Sequence, residues 1–134
     1  MSGKPIGLTL AGCLFAVIPQ LAFARSDGPC PKATTTPEVI ACLGDAESAA
    51  LKQLEQRRAL IRKALASRPE LLAKFDKSEL LWEGYREYFC SDFTDDRYEG
   101  GTIRMPSIIA CGLDATEAHH DFLGRQFYLV LPRP

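Results

Sequence analysis

Trp82-Glu83-Gly84-Tyr85-Arg86-Glu87-Tyr88-Phe89-Cys90 has the form W-x-x-Y-R-x-x-x-C, and Gly100-Gly101-Thr102, Cys111 and Thr116 follow it. Its aromatic spacing lays a stripe along one side of a helix. Gly100-Gly101 reads as a tight turn that needs positive φ. Cys90 and Cys111 frame that turn, so the run describes a helix feeding a disulfide-closed loop.

Working outward, Leu71, Leu72, Phe75, Trp82, Tyr85 and Phe89 step along one side of a helix that starts near Pro69 and continues to Phe89 or Phe93. Upstream, Thr36-Pro37-Glu38 reads as a helix start, with Thr36 as cap and Pro37 in the first helical position. That short helix carries Val39, Ile40 and Leu43 and is expected to end at Gly44. Asp45 then caps a helix to about Ser67, where Ala50, Leu51, Leu54, Ile61, Ala64 and Leu65 recur at helical spacing. Residues 94–110 read as an irregular crossing, interrupted by Gly100, Gly101 and Pro106. A final helix, starting near Leu113–Thr116, carries Ala118, Phe122, Leu123 and Phe127, and Tyr128–Leu131 reads as a short extended piece. The expected fold class is all-α. It is a small disulfide-stabilised helical bundle built on two long antiparallel helices, with shorter helices packed on them.

The N-terminus sets the compartment. Lys4 precedes an apolar run from Ile6 to Ala24, and Ala22-Phe23-Ala24 has the small-x-small form of a signal peptidase site. The division expected is a signal peptide over residues 1–24 and one helical domain over 25–134. The run is broken by Pro19 and Gln20, which argues against a membrane span. A competing route treats Leu10-Ala11-Gly12-Cys13 as a lipoprotein signal with a lipid anchor at Cys13, but the chain stays apolar after that cysteine.

Signal cleavage leaves Cys30, Cys42, Cys90 and Cys111. An even number in a short exported chain implies disulfides, and four cysteines allow three pairings. Local pairing, Cys30 with Cys42 and Cys90 with Cys111, closes short loops rich in turn formers and needs no long crossover. Each bridge is worth about 3 kcal/mol through its effect on the unfolded chain. A zinc site is disfavoured, since no C-x-x-C occurs and His119 and His120 are adjacent. No metal or cofactor is expected.

Removing Lys4 from 16 basic side chains, against 17 acidic ones, leaves a formal charge of −2. No basic stripe suggests a nucleic-acid surface. Ser78, Ser91 and Ser107 with His119 or His120 form no recognisable nucleophile signature, so the chain does not read as an enzyme. Asp92, Asp95, Asp96 and Glu99 lack the ligand order of a calcium loop. Glu79 and Glu83 are one helical turn of like charge, as readily a solvated face as an acid–base pair. Trp82, Tyr85 and Phe89 read as core. Arg86 lies one turn beyond Trp82, where it can stack on the indole and pair with a carboxylate. His119 is placed to face the bundle and His120 the solvent.

The W-x-x-Y-R-x-x-x-C run, the Gly100-Gly101-Thr102 turn, Cys111 and the Thr116-led helix together resemble the LprI lysozyme-inhibitor family of exported bacterial proteins. The resemblance is best over residues 79–119, with a looser echo where Cys30 and Cys42 bracket Thr36-Pro37-Glu38-Val39-Ile40. Where the family often has an arginine, three residues after the threonine of the last helix, this chain has His119. The usual leucine-aspartate and asparagine positions of the first long helix are not recognisable within residues 46–60. The resemblance implies a small helical domain, periplasmic or secreted, that acts by binding and inhibits a lysozyme-type muramidase by occluding its cleft. The alternative is a periplasmic structural or interaction module with no lysozyme activity, and a third class is a hydrolase of envelope polymers. The expected partner is a lysozyme or another envelope protein. Residues 91–99 carry Asp92, Asp95, Asp96 and Glu99 against Arg97, a charge of −3. Those acids with Gly100, Gly101 and Thr102 are the candidate contact edge toward a cationic partner.

Overall fold

Thr35 sets the first helix in place. Its hydroxyl accepts from the Glu38 backbone N–H, while the Glu38 carboxylate accepts from the backbone N–H groups of Thr34 and Thr35. This reciprocal cap satisfies donors that the first turn would otherwise leave free. The cap therefore lies one residue before the expected Thr36. The computed structural model describes residues 28–131, so the expected signal segment and Cys13 lie outside the described residues.

From that cap one helix, α1, runs unbroken over Thr36–Leu65. Gly44 does not end it, and Asp45 is an interior residue rather than a cap. A mid-helix glycine costs about 1 kcal/mol. The buried positions Leu43, Ala50, Leu54, Ile61 and Leu65 keep helical spacing straight across it, so burial outweighs that cost. Pro69 opens α2, Pro69–Glu87, as expected of a proline in a first turn. The chain then widens into a π-helical stretch, Tyr88–Phe93, and tightens again into the single turn α3, Thr94–Arg97.

The last helix, α4, spans Arg104–Gln126 and begins well before the expected Leu113–Thr116. Pro106 does not break it, because in the first turn its missing N–H has no intrahelical acceptor to lose. The crossing expected over residues 94–110 thus shrinks to the turn between α3 and α4. Gly100 there has φ of 74°, and Gly101 has no positive φ. The tail is a tight turn rather than an extended piece, with the Val130 and Leu131 N–H groups donating to the Phe127 carbonyl.

The helices form an all-α bundle. α1 and α2 are antiparallel: Arg62 of α1 pairs with Asp76, Arg58 with Glu79, and Glu47 with Arg86. α4 is a third long helix rather than a short accessory, and it returns parallel to α1. At one end Leu43 and Ala50 pack with Leu113; at the other Leu54, Ile61 and Leu65 pack with Phe75 and Leu123. On the side of α4 that faces α1, the Glu47 carboxylate lies over Gly112 and the Arg57 guanidinium over Gly124, where a Cβ would displace these flexible side-chain ends. The bridges are Cys30–Cys42 and Cys90–Cys111, the local pairing expected. The first ties the N-terminal arm to α1 and the second ties the π-helical stretch to α4.

Candidate functional site

The residues singled out in sequence separate into three neighbouring regions along α2, the π-helical stretch and α4. Closest to the core, Trp82 is half-buried and packs against the Leu54–Ile61–Phe75 cluster. One face of its indole stacks on His119, with ring centres 4.1 Å apart and an interplanar angle of 10°. Two guanidiniums approach the ring, Arg58 at 5.3 Å and Arg86 at 6.0 Å from its centre. Arg86 donates from Nη2 to Glu47 Oε1 at 3.3 Å, which is the stack-and-pair clamp expected of it. Thr116 is fully buried and donates its hydroxyl to the Gly112 carbonyl at 2.7 Å.

A charge network that the sequence reading missed lies beneath this layer. Arg58 is 5% exposed and Glu79 3% exposed, and Arg58 Nε donates to Glu79 Oε2 at 2.7 Å. Arg58 Nη1 donates to Glu83 Oε1 at 2.7 Å. His119 Nε2 lies 2.9 Å from Glu79 Oε2. An ionised carboxylate only accepts, so His119 is the donor. His119 thus faces the bundle as expected, standing between Trp82 and Glu79. Glu79 and Glu83 do not share one solvated face: Glu79 is buried, Glu83 is exposed, and Arg58 pairs with both.

Burial pushes the Glu79 carboxyl up, but hydrogen bonds and charges from His119 and Arg58 outweigh it and hold the group below its ordinary value of 4.5. A carboxyl held low in the folded state stabilises fully above its unfolded value, and that stabilisation is lost as pH falls through the folded value. Urea unfolding should therefore show Glu79's contribution intact from pH 6 down to the ordinary carboxylate value, 4.5, and declining below it. Glu79→Gln should flatten that decline. An unchanged acid limb in the variant would show that other carboxyls carry it.

The second region corrects an expectation. Tyr85 and Phe89 are not core: they are 60% and 41% exposed. They form an outward ladder with Phe93, Tyr85 to Phe89 at 5.6 Å and Phe89 to Phe93 at 5.2 Å between ring centres. The stripe expected from spacing splits because Trp82 and Tyr85 are three residues apart on a helix whose buried side is narrow. With Phe122, Tyr85 and Phe89 border an open groove of about 600 Å³ between α2 and α4.

The third region is the acidic edge. Asp92, Asp96, Glu99, Gly100, Gly101 and Thr102 are exposed, and Asp95 is half-buried. Asp95 is spoken for by an ion pair with Arg104. Arg97 lies over the Tyr98 ring, 5.5 Å from its centre. Among the described residues Asp92, Asp96 and Glu99 have no ion-pair partner, and no three acidic, histidine or cysteine side chains converge as metal ligands. Asp92, Asp95 and Asp96 are carried on helical turns rather than on the expected irregular loop, while Glu99, Gly100, Gly101 and Thr102 lie in the turn before α4, all within the segment closed by Cys90–Cys111. Asp92 and Asp96 stand four residues apart, and Phe93 of the aromatic ladder follows Asp92 directly in the chain.

No helix among the described residues is long and apolar enough to cross a membrane. The family model described as "Lysozyme inhibitor LprI" matches residues 29–123, most of the chain. Comparison with curated proteins and with solved structures returned no match.

Proposed function

We propose that this chain, which belongs to the LprI lysozyme-inhibitor family, is an exported binding protein, periplasmic or secreted, that inhibits a lysozyme-type muramidase by covering its cleft. The observation that carries the reading is the acidic edge. Asp92, Asp96 and Glu99 are exposed and have no ion-pair partner among the described residues; Asp92 and Asp96 sit on helical backbone and Glu99 in the turn that follows, all within the segment closed by the Cys90–Cys111 bridge. Pre-ordering reduces the entropy lost on docking. Exposed acids of one sign steer a cationic partner and act chiefly on the association rate. Gly100-Gly101-Thr102 adds a low-profile turn beside them.

A muramidase assay on cell-wall substrate, with and without the purified domain, tests the activity. Inhibition of a cationic lysozyme should weaken as salt rises, since exposed charges are screened over about 8 Å at physiological ionic strength. Replacing Asp92 and Asp96 by Asn and Glu99 by Gln should slow association about tenfold and leave dissociation nearly unchanged. Asp95 is left intact so that its pair with Arg104 survives. Inhibition indifferent to both salt and these substitutions would place the contact edge elsewhere on the bundle. An absence of inhibition would favour the second reading, an envelope interaction module, which the same charged edge and the exposed aromatic ladder also suit.

A further inference from the structure

Leu80, Leu81 and Tyr88 are each about two-thirds exposed, on the side of α2 turned away from the buried Phe75 and Glu79. Gly84 lies among them, four residues after Leu80, three after Leu81 and four before Tyr88. Residues at those spacings are neighbours on a helix surface. Nothing within the chain explains the glycine. Its φ is not positive, a Cβ built on it would meet no atom within 4 Å, and glycine weakens a helix interior relative to alanine. It leaves a notch in the middle of an exposed apolar face. Such a notch lets a second helix approach at the short end of the usual interaxial range, about 8 Å.

The charges at either end say which helix that is. Lys77 stands three residues before Leu80, and Glu87 three after Gly84. Both are exposed, and neither has an ion-pair partner among the described residues. The order along α2 is therefore cation, knob, notch, anion, which is its own complement when reversed. We infer that this face of α2 is a homodimer interface, with the α2 helices of two copies antiparallel about a two-fold axis level with Trp82. In that register Leu80 of each copy fills the notch at Gly84 of the other, and Lys77 of each stands opposite Glu87 of the other. Every contact occurs twice, as an isologous interface requires. An unrelated partner gives no reason for the cation and the anion to stand equally far from the knob and the notch. Leu80, Leu81, Tyr85 and Tyr88, with the stems of Lys77 and Glu87, offer roughly 600 Å² per copy. That is below the standard of about 800 Å² per partner and above the level of most lattice contacts, so the dimer is of micromolar affinity. The interface is distinct from the acidic edge: Asp92, Asp96 and Glu99 form none of these contacts, and its test uses no muramidase.

Sedimentation velocity of the full chain, with both disulfides formed, should show monomer–dimer exchange with a Kd on the order of 10–100 µM. Gly84→Leu fills the notch and should leave the chain monomeric throughout. Its Tm should not fall, because the new side chain points into open space and leucine is the better helix former. Lys77→Glu and Glu87→Lys each set like charges opposite one another at both contacts, and each should weaken self-association about tenfold or more. An equimolar mixture of those two variants sets opposite charges together at both contacts. It should associate within about threefold of the wild type, as a dimer holding one copy of each. A wild-type chain that stays monomeric to about 500 µM overturns the interface. Association that survives Gly84→Leu belongs to another face and overturns it as well. A mixture that associates no better than its two components overturns the antiparallel register.

Discussion

Arg58→Met should lower folding stability by about 3–5 kcal/mol, the cost of removing one partner from a buried ion pair. Methionine keeps the length of the side chain but leaves Glu79, whose side chain is 4% exposed, with His119 as its only partner. That carboxylate then has to take up a proton or draw water into the layer beneath Trp82. For a domain of this size the loss corresponds to a fall in Tm of more than about 12 °C. Removing both charges, Arg58→Met with Glu79→Met, should cost less than Arg58→Met alone, because no uncompensated charge remains. Denaturant unfolding of the two single variants and the double gives the coupling directly. A loss under about 1 kcal/mol for Arg58→Met would mean that water reaches Glu79 and the pair is not insulated.

Trp82→Ala should cost about 3 kcal/mol, the low end for a large aromatic truncation because the indole is half-buried. The effect has two parts. One is the contact with the Leu54–Ile61–Phe75 cluster; the other is the roof that the indole places over Arg58, Glu79 and His119. Opening that roof should also bring the acid limb of stability toward that of an ordinary carboxyl. Because no other tryptophan remains, far-UV circular dichroism is the measurement. Melting within a few degrees of wild type would assign the indole to the surface, with Tyr85 and Phe89. A large loss of stability with an unmoved acid limb would assign it to packing alone.

The helical class, both disulfides and the approach of Arg86 to Trp82 follow from spacing, because each depends on residues close in the chain, whereas the carboxylate that pairs with Arg86 comes from Glu47, 39 residues away. Boundaries were less legible. Gly44 and Pro106 signal breaks locally, but one is overruled by a buried stripe that continues past it and the other sits in a first turn. The charge network left a trace that hydropathy conceals. Arg58 stands four residues after Leu54 and three before Ile61, and Glu79 stands four after Phe75 and three before Trp82, so both occupy apolar-stripe positions. Charges of opposite sign at such positions on two helices imply a buried pair. That the outer aromatics face away was not legible. The width of the buried side of α2 is set by α4, which returns from far along the chain. The candidate edge was legible as a charge run, but the neutralisation of Asp95 by Arg104 depends on where α4 begins.

The parallel arrangement of α1 and α4 bears on the order in which the chain can fold. Synthesis delivers α1 first and α4 last, so Leu54 and Ile61 wait for Leu123 through most of the polypeptide's emergence. Cys30 can meet Cys42 early, since only 12 residues separate them. The two ends of the core cannot close until the final helix is available. A nascent chain lacking α4 thus carries an unpaired apolar stripe on α1 and, on α2, a Glu79 that has Arg58 within reach but not His119. Such a chain is suited to being held open by a chaperone until α4 appears, and a truncation just before Gly112 should yield an aggregation-prone fragment rather than a smaller domain.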